Sequence, residues 1–170
     1  MNILIALAFL ALNTTSIYNL QFQDIDGNTR PLSVYQGKKI LLVNIATGST
    51  RVNQLQGLQQ LHQQYGDSVV VIGFPSNSFG NESRSNSEIK QFCQANYGVS
   101  FLLAAKTDVT GPQIHPVYHW LSNISSNGIN GAPLQKNFQK FLISQTGSLI
   151  GIFSPTVEPT SEQITGALTN

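Results

Sequence analysis

Charge is what this sequence has least of. Nine Lys and Arg and eight Asp and Glu make up 10% of the 170 residues, against ~25% in an average soluble chain. The net charge is +1, and no cluster of Lys and Arg or basic stripe stands out. Binding to nucleic acid depends on concentrated positive charge, so that class of partner is not expected. Polarity comes instead from Gln, Asn and Ser dispersed along the whole chain, which reads as a weakly charged surface with no low-complexity tract. Cysteine is almost absent as well. A single residue, Cys93, excludes an intramolecular disulfide, a Cys-x-x-Cys redox pair and a cysteine-based zinc site. Of three histidines, His115 and His119 are four apart, but no acidic residue nearby completes a metal set. They are expected as ordinary helix-surface residues, and neither a metal nor a cofactor is expected.

Long hydrophobic runs are also scarce. The longest, Ile3 to Leu12, has ten apolar residues, whereas a helix across a bilayer needs ~20. No membrane span is therefore expected. The run has the length of a secretory h-region and is followed by small residues, Thr14, Thr15 and Ser16. No Lys or Arg precedes it, so the alternative is an N-terminal strand or buried helix on a cytoplasmic protein. The expected organisation is a leader over 1–16, with export to the periplasm or the medium, and a single domain over 17–170.

What is present is a regular alternation of strand and helix signals. "IYNLQFQDIDGNTRPLSVY" reads as a hairpin with Tyr18, Leu20 and Phe22 on one face and a turn at Asp26-Gly27. "KKILLVNIA" is a continuous apolar run, as expected of a strand covered on both faces. Val52, Leu55, Leu58, Leu61 and Tyr65 recur at helical spacing up to Gly66. "SVVVIGFP" (68–75) is a second buried strand. Ser85 and Glu88 form a capping box opening a helix to Gly98. "SFLLAA" is a strand, "HPVYHWL" a short helix opening near Pro116, and "FQKFLISQTGSLIGIFSP" two strands joined around Thr146-Gly147. A last helix runs from about Ser161 to Leu168. Strands alternating with helices imply an α/β fold with right-handed crossovers and a mixed sheet carrying helices on both faces. With its N-terminal hairpin, the order fits a thioredoxin-like fold.

Several of these stretches resemble the glutathione peroxidase family, in order and spacing, from Ser16 to the C-terminus. "SIYNLQFQDIDGNTRPLSVYQGKKILLVNIAT" resembles the family opening, and "VIGFPSNSFG" the signature usually written FPCNQFG. "SNSEIKQFCQANYGVSF" and "KTDVTGPQIHPVYHWL" resemble the next two helical blocks, and "QKNFQKFL" the KWNFxKFL strand. The short stretch between Leu121 and Asn137 resembles compact members without an oligomerisation insert. The resemblance thus implies a monomer that uses thioredoxin more often than glutathione as reductant. It also implies thiol-dependent reduction of hydrogen peroxide and organic hydroperoxides, in which a thiolate becomes a sulfenic acid that other thiols restore.

The residues that would do this are mostly replaced. The family's nucleophilic Cys falls at Ser49, its Gln at Ser78 and its Trp at Lys136. Only the Asn is retained, as Asn137, and Ser76 stands where many members have a second Cys. A hydroxyl has no counterpart of the sulfenic acid. No Gly-x-Ser-x-Gly elbow or nearby base makes Ser49 a hydrolase nucleophile, His62 lying more than three turns along the next helix. Ser49 is expected as that helix's N-cap, Lys136 as a solvated lysine, and Asn137 as a buried amide satisfied by backbone. If Lys136 instead faces the old pocket beside Ser49 and Asn137, a small anion or polar ligand fits there; Arg51 sits near the helix start or on the surface. The expectation is a catalytically impaired homologue that binds an unknown protein or small ligand. The alternative is a weak or altered thiol peroxidase that uses Cys93. That residue lies on a helix where some thioredoxin-dependent relatives carry a resolving cysteine, but beside Phe92 it reads as a buried, inert thiol.

Overall fold

The computed structural model describes residues 15–169; the apolar run read as a leader lies outside them. The chain enters as a 3₁₀ turn, Ile17–Asn19, and a two-stranded hairpin of β1 (Gln21–Gln23) and β2 (Thr29–Pro31). The main sheet contains β3 (Lys39–Ile45), β4 (Val69–Pro75), β5 (Leu102–Leu103), β6 (Lys140–Ile143) and β7 (Leu149–Phe153). Their spatial order is β5-β4-β3-β6-β7, with β3, β4 and β5 parallel and β6 and β7 antiparallel to their neighbours. The helices are α1 (Gln54–Tyr65), α2 (Asn86–Tyr97), α3 (Pro116–Leu121), α4 (Ile124–Asn127) and α5 (Glu162–Thr169). None of the described helices is long and apolar enough to cross a membrane.

All seven residues of β3 are buried, because alternate side chains feed two cores. Ile40 and Leu42 join Ile72, Phe74, Phe141, Tyr118 and Trp120 on the face covered by α3 and the N-terminal hairpin. Leu41, Val43 and Ile45 join Leu55, Leu58, Ile89, Cys93, Ile164 and Leu168 on the face covered by α1, α2 and α5. Helices on both faces of a mixed sheet are what a thioredoxin-like fold requires.

Local chemistry accounts for most element ends. The Ser85 side chain accepts from the Glu88 amide while the Glu88 carboxylate accepts from Ser85, closing the expected capping box, and Gly98 ends α2 in the left-handed conformation. Between β6 and β7, Gly147 has φ +89°, and a Cβ there would sit 2.7 Å from the Tyr18 ring. Glycine is the residue that both the turn and the close approach allow.

Three expectations need correction. Tyr18 and Leu20 are not on the hairpin strand: Tyr18 lies in the 3₁₀ turn and donates its hydroxyl to the Gln145 carbonyl at 2.8 Å. The strand expected in "SFLLAA" has only two residues, with an isolated bridge from Ala104 to Asp24. His115 is not a helix-surface residue. Its Nδ1 accepts from the Val117 amide as the N-cap of α3, and its ring packs 5.7 Å from that of Phe74. Burial pushes the imidazole below its ordinary range. His119 is exposed.

Candidate functional site

The parallel strands β3 and β4 end at the same edge of the sheet, where open α/β folds place their ligand crevices. After Ile45 the chain turns through Thr47, Gly48 and Ser49. The loop after β4 comes close to it: the Gly48 amide donates to the Asn81 carbonyl at 2.9 Å. A Cβ on Gly48 would lie 2.8 Å from that carbonyl oxygen, so the approach requires glycine. Beneath the turn, buried Glu82 accepts from the Thr47 amide at 2.6 Å and the Thr47 hydroxyl at 2.8 Å. The same hydroxyl accepts from Arg84 at 2.7 Å. The Arg84 guanidinium lies 4.6 Å from the centroid of the Phe92 ring. The loop carrying Ser49 is thus held by a charged clamp that no motif announced.

The third wall is the segment before β6. Asn44, fully buried in β3, donates its side-chain amide to the Lys136 carbonyl at 3.1 Å and accepts from the Gln139 amide at 3.1 Å. Its own carbonyl accepts from the Phe138 amide at 2.7 Å. Under this constraint Phe138 adopts φ +71°, a conformation that costs a non-glycine residue about 1–2 kcal/mol. Fully buried in the helix-side core, the Phe138 ring anchors the kink. The kink sets Lys136 and Asn137 toward the strand ends.

These three walls enclose a cleft of about 350 Å³ lined by Ser49, Arg51, Phe79, Lys136 and Asn137, among others. Ser49 is only 7% exposed. Its hydroxyl accepts from the Arg51 amide at 3.2 Å, but α1 begins five residues later at Gln54, preceded by Asn53. Ser49 therefore closes a turn and does not cap α1 as expected. The reason is the run of turns through Val52 and Asn53 that precedes the helix. Lys136 is exposed, as expected of a solvated lysine, and also lines the cleft. Asn137 is buried; its Nδ2 donates to the Gly80 carbonyl at 3.3 Å, but its Oδ1 has no partner among the described residues. Backbone groups thus satisfy half of this amide, not all of it. Among the described residues, no carboxylate and no histidine lines the cleft.

Two residues singled out in the sequence lie elsewhere. The Ser78 hydroxyl accepts from the Val109 amide at 3.0 Å and from the Ser76 hydroxyl at 3.0 Å. It is not a cleft-lining residue. Cys93 is fully buried in the core between α2 and the sheet. Burial, and after it the negative charge of Glu82, pushes the thiol up to about 12. The ring of His62 packs toward Phe101, 6.5 Å between centroids, and offers Ser49 no base.

Residues 17–122 match the family model described as glutathione peroxidase. The chain belongs to the glutathione peroxidase family. It is 40% identical over 144 residues to the glutathione peroxidase-like peroxiredoxin gpx1 of Schizosaccharomyces pombe, covering 84% of this chain and 90% of that protein. The crystal structure of Trgpx in apo form superposes with a TM-score of 0.70 at 31% identity, covering 92% of this chain and 97% of the other. At the level of fold alone, a thioredoxin family thiol:disulfide interchange protein from Chlorobium tepidum matches with a TM-score of 0.64 at 12% identity, over 92% and 97% of the two chains. The family resemblance and the thioredoxin-like fold expected from the sequence both hold.

The sequence did not point to Asn44, Glu82, Arg84 or the left-handed Phe138. The signal available for them was weak: a lone polar residue inside an apolar strand, and one acidic residue in a Ser- and Asn-rich loop.

Proposed function

We propose that this member of the glutathione peroxidase family is catalytically impaired and uses its cleft to bind a small ligand or a partner protein. The observation that carries the reading is the buried hydroxyl of Ser49 at the turn after β3, where peroxide reduction needs a thiol. A serine oxygen has no sulfenic acid to form and to be reduced again. The neighbouring groups support the same reading. Ser78 spends its hydroxyl on the Val109 loop, and a lysine stands at the cleft where an indole is expected.

The rival reading, a weak thiol peroxidase drawing on Cys93 with thioredoxin or glutathione as reductant, needs an accessible thiolate. Full burial of Cys93 and its raised pKa weigh against it. The test is hydroperoxide consumption with thioredoxin or glutathione recycling. The expected result is no turnover by the native protein and measurable turnover by Ser49→Cys. Native turnover that disappears in Cys93→Ser would overturn the proposal.

On the apolar run Ile3 to Leu12, we also propose export, and on the short stretch before Asn137 a monomer. Fractionation of a C-terminally tagged chain and sedimentation of the purified protein test these. A full-length cytoplasmic pool, or a concentration-independent dimer, would overturn them.

A further inference from the structure

The cleft beside Ser49 combines a spare donor, a spare acceptor and two cations, and we propose that it binds a small hydroxy acid, a carboxylate that also carries a hydroxyl group. This rests on the reading that the cleft is kept for binding.

Asn137 supplies the deciding atom. It is 4% exposed and walls the cleft, its Nδ2 donates to the Gly80 carbonyl at 3.3 Å, and its Oδ1 is buried with no partner. Reversing the amide would set its oxygen against the Gly80 carbonyl oxygen, so the orphan is the acceptor. A buried acceptor without a partner costs about 1–3 kcal/mol, and a ligand O–H removes that cost. The oxygen is closed off from solvent, so a ligand engages it only if a wall side chain moves aside.

Ser49 provides the complementary atom. Its hydroxyl oxygen accepts from the Arg51 amide at 3.2 Å, which leaves its proton to donate. A ligand hydroxyl can accept from Ser49 and donate to Asn137. A neutral ether or a carboxylate alone cannot do both.

Charge selects the rest of the ligand. Arg51 and Lys136 line the cleft and, among the described residues, no carboxylate does, in a chain with only nine Lys and Arg. Charge-assisted bonds to a carboxylate are roughly twice as strong as neutral ones. A volume of about 350 Å³ lies near the lower end of small-molecule sites, and Phe79 offers one apolar surface for a short carbon chain.

The test is NMR titration of the isotope-labelled full chain with lactate, with propionate (no hydroxyl) and with 1,2-propanediol (no charge). Lactate is expected to shift the amides of residues 48–51 and 135–138 and to bind about tenfold tighter than propionate, the worth of one relieved acceptor. Asn137→Leu should erase that preference while propionate still binds. Arg51→Gln combined with Lys136→Gln should remove binding of both acids and leave the fold intact by circular dichroism. Equal affinity for lactate and propionate, shifts confined to other residues, or no binding of either acid would overturn the proposal. The outcomes separate from the peroxidase assay: turnover with lactate selectivity intact removes only the impaired-enzyme reading. Absence of both turnover and selectivity removes only the ligand assignment.

Discussion

Asn137 and Lys140 stand three residues apart, both polar and both buried, and the protein treats them in opposite ways. Lys140 opens β6 with no exposed surface. Its ammonium donates to the Gln54 side-chain oxygen at 2.5 Å, to the Val157 carbonyl at 2.5 Å and to the Pro155 carbonyl at 3.4 Å. Gln54 in turn donates to Pro155 at 2.9 Å. One buried cation therefore fastens the segment after β7 to the start of α1. Asn137 keeps an acceptor with nothing to accept from. The two differ in satisfaction: the bonds of Lys140 are complete, whereas Asn137, in a wall of the cleft, keeps one open, as do the buried hydroxyls of Tyr118 and Ser161 away from it.

The largest expected effect breaks the satisfied side of the comparison. Lys140→Met should cost about 3 kcal/mol at neutral pH in urea unfolding, because it leaves the Gln54 oxygen and the Val157 carbonyl buried without their donor. Burial pushes the Lys140 amine down to about 8; Glu158 opposes this shift and Arg51 adds to it. Between about pH 8 and pH 10.5 the unfolded chain therefore holds more protons than the folded one, and native stability from this group rises with pH. The gap between the native protein and Lys140→Met should widen over that range. A constant gap would show that the amine is not proton-poor in the fold.

Asp24 gives a smaller effect of the same sign in pH, in an acid window. Burial alone would raise its carboxyl, but bonds from the Asn28 and Asp26 amides, the Asn28 side chain and Arg30 at 2.8 Å outweigh it and hold the group down to about 2. Its folded pKa is thus depressed. The stability it contributes is present above the unfolded value of ~3.9 and is lost as pH falls toward 2. Asp24→Asn should flatten that acid limb in fluorescence-monitored unfolding and lower stability at neutral pH. An unchanged acid limb would show that the carboxylate does not secure the hairpin turn.

The smallest effect sharpens the unsatisfied side. Asn137→Leu, which removes an acceptor that has no partner, should change unfolding free energy by less than about 1 kcal/mol. A loss as large as that of Lys140→Met would mean that Asn137 holds the fold as Lys140 does.

The fold was largely legible in the sequence because its signals are local and repeated. The unbroken run Ile40 to Val43, the three-and-four spacing of Leu55, Leu58 and Leu61, the Ser85 and Glu88 box and the glycine at 147 each specify conformation over a few residues. The helix start at Gln54 was not legible, since Val52 fits the same periodicity but lies in the preceding turns. Nor was the conformation of Phe138: an aromatic residue adopts positive φ only when neighbours impose it, here through Asn44. The partner of Ser78 was not legible for the same reason, because its hydroxyl answers to the Val109 amide, thirty-one positions away.

By itself the sequence determined the α/β order of elements, the family resemblance, and the absence of a thiol at Ser49. Each is a matter of residue identity or short-range spacing. Tertiary structure alone decided which polar groups far apart in the sequence end up paired. Gln54 meets Lys140, Thr47 meets Glu82, and Asn137 meets only Gly80 because strands far apart in the chain are packed side by side. Hydrogen-bond satisfaction inside a core is a property of that packing, and neither composition nor periodicity encodes it.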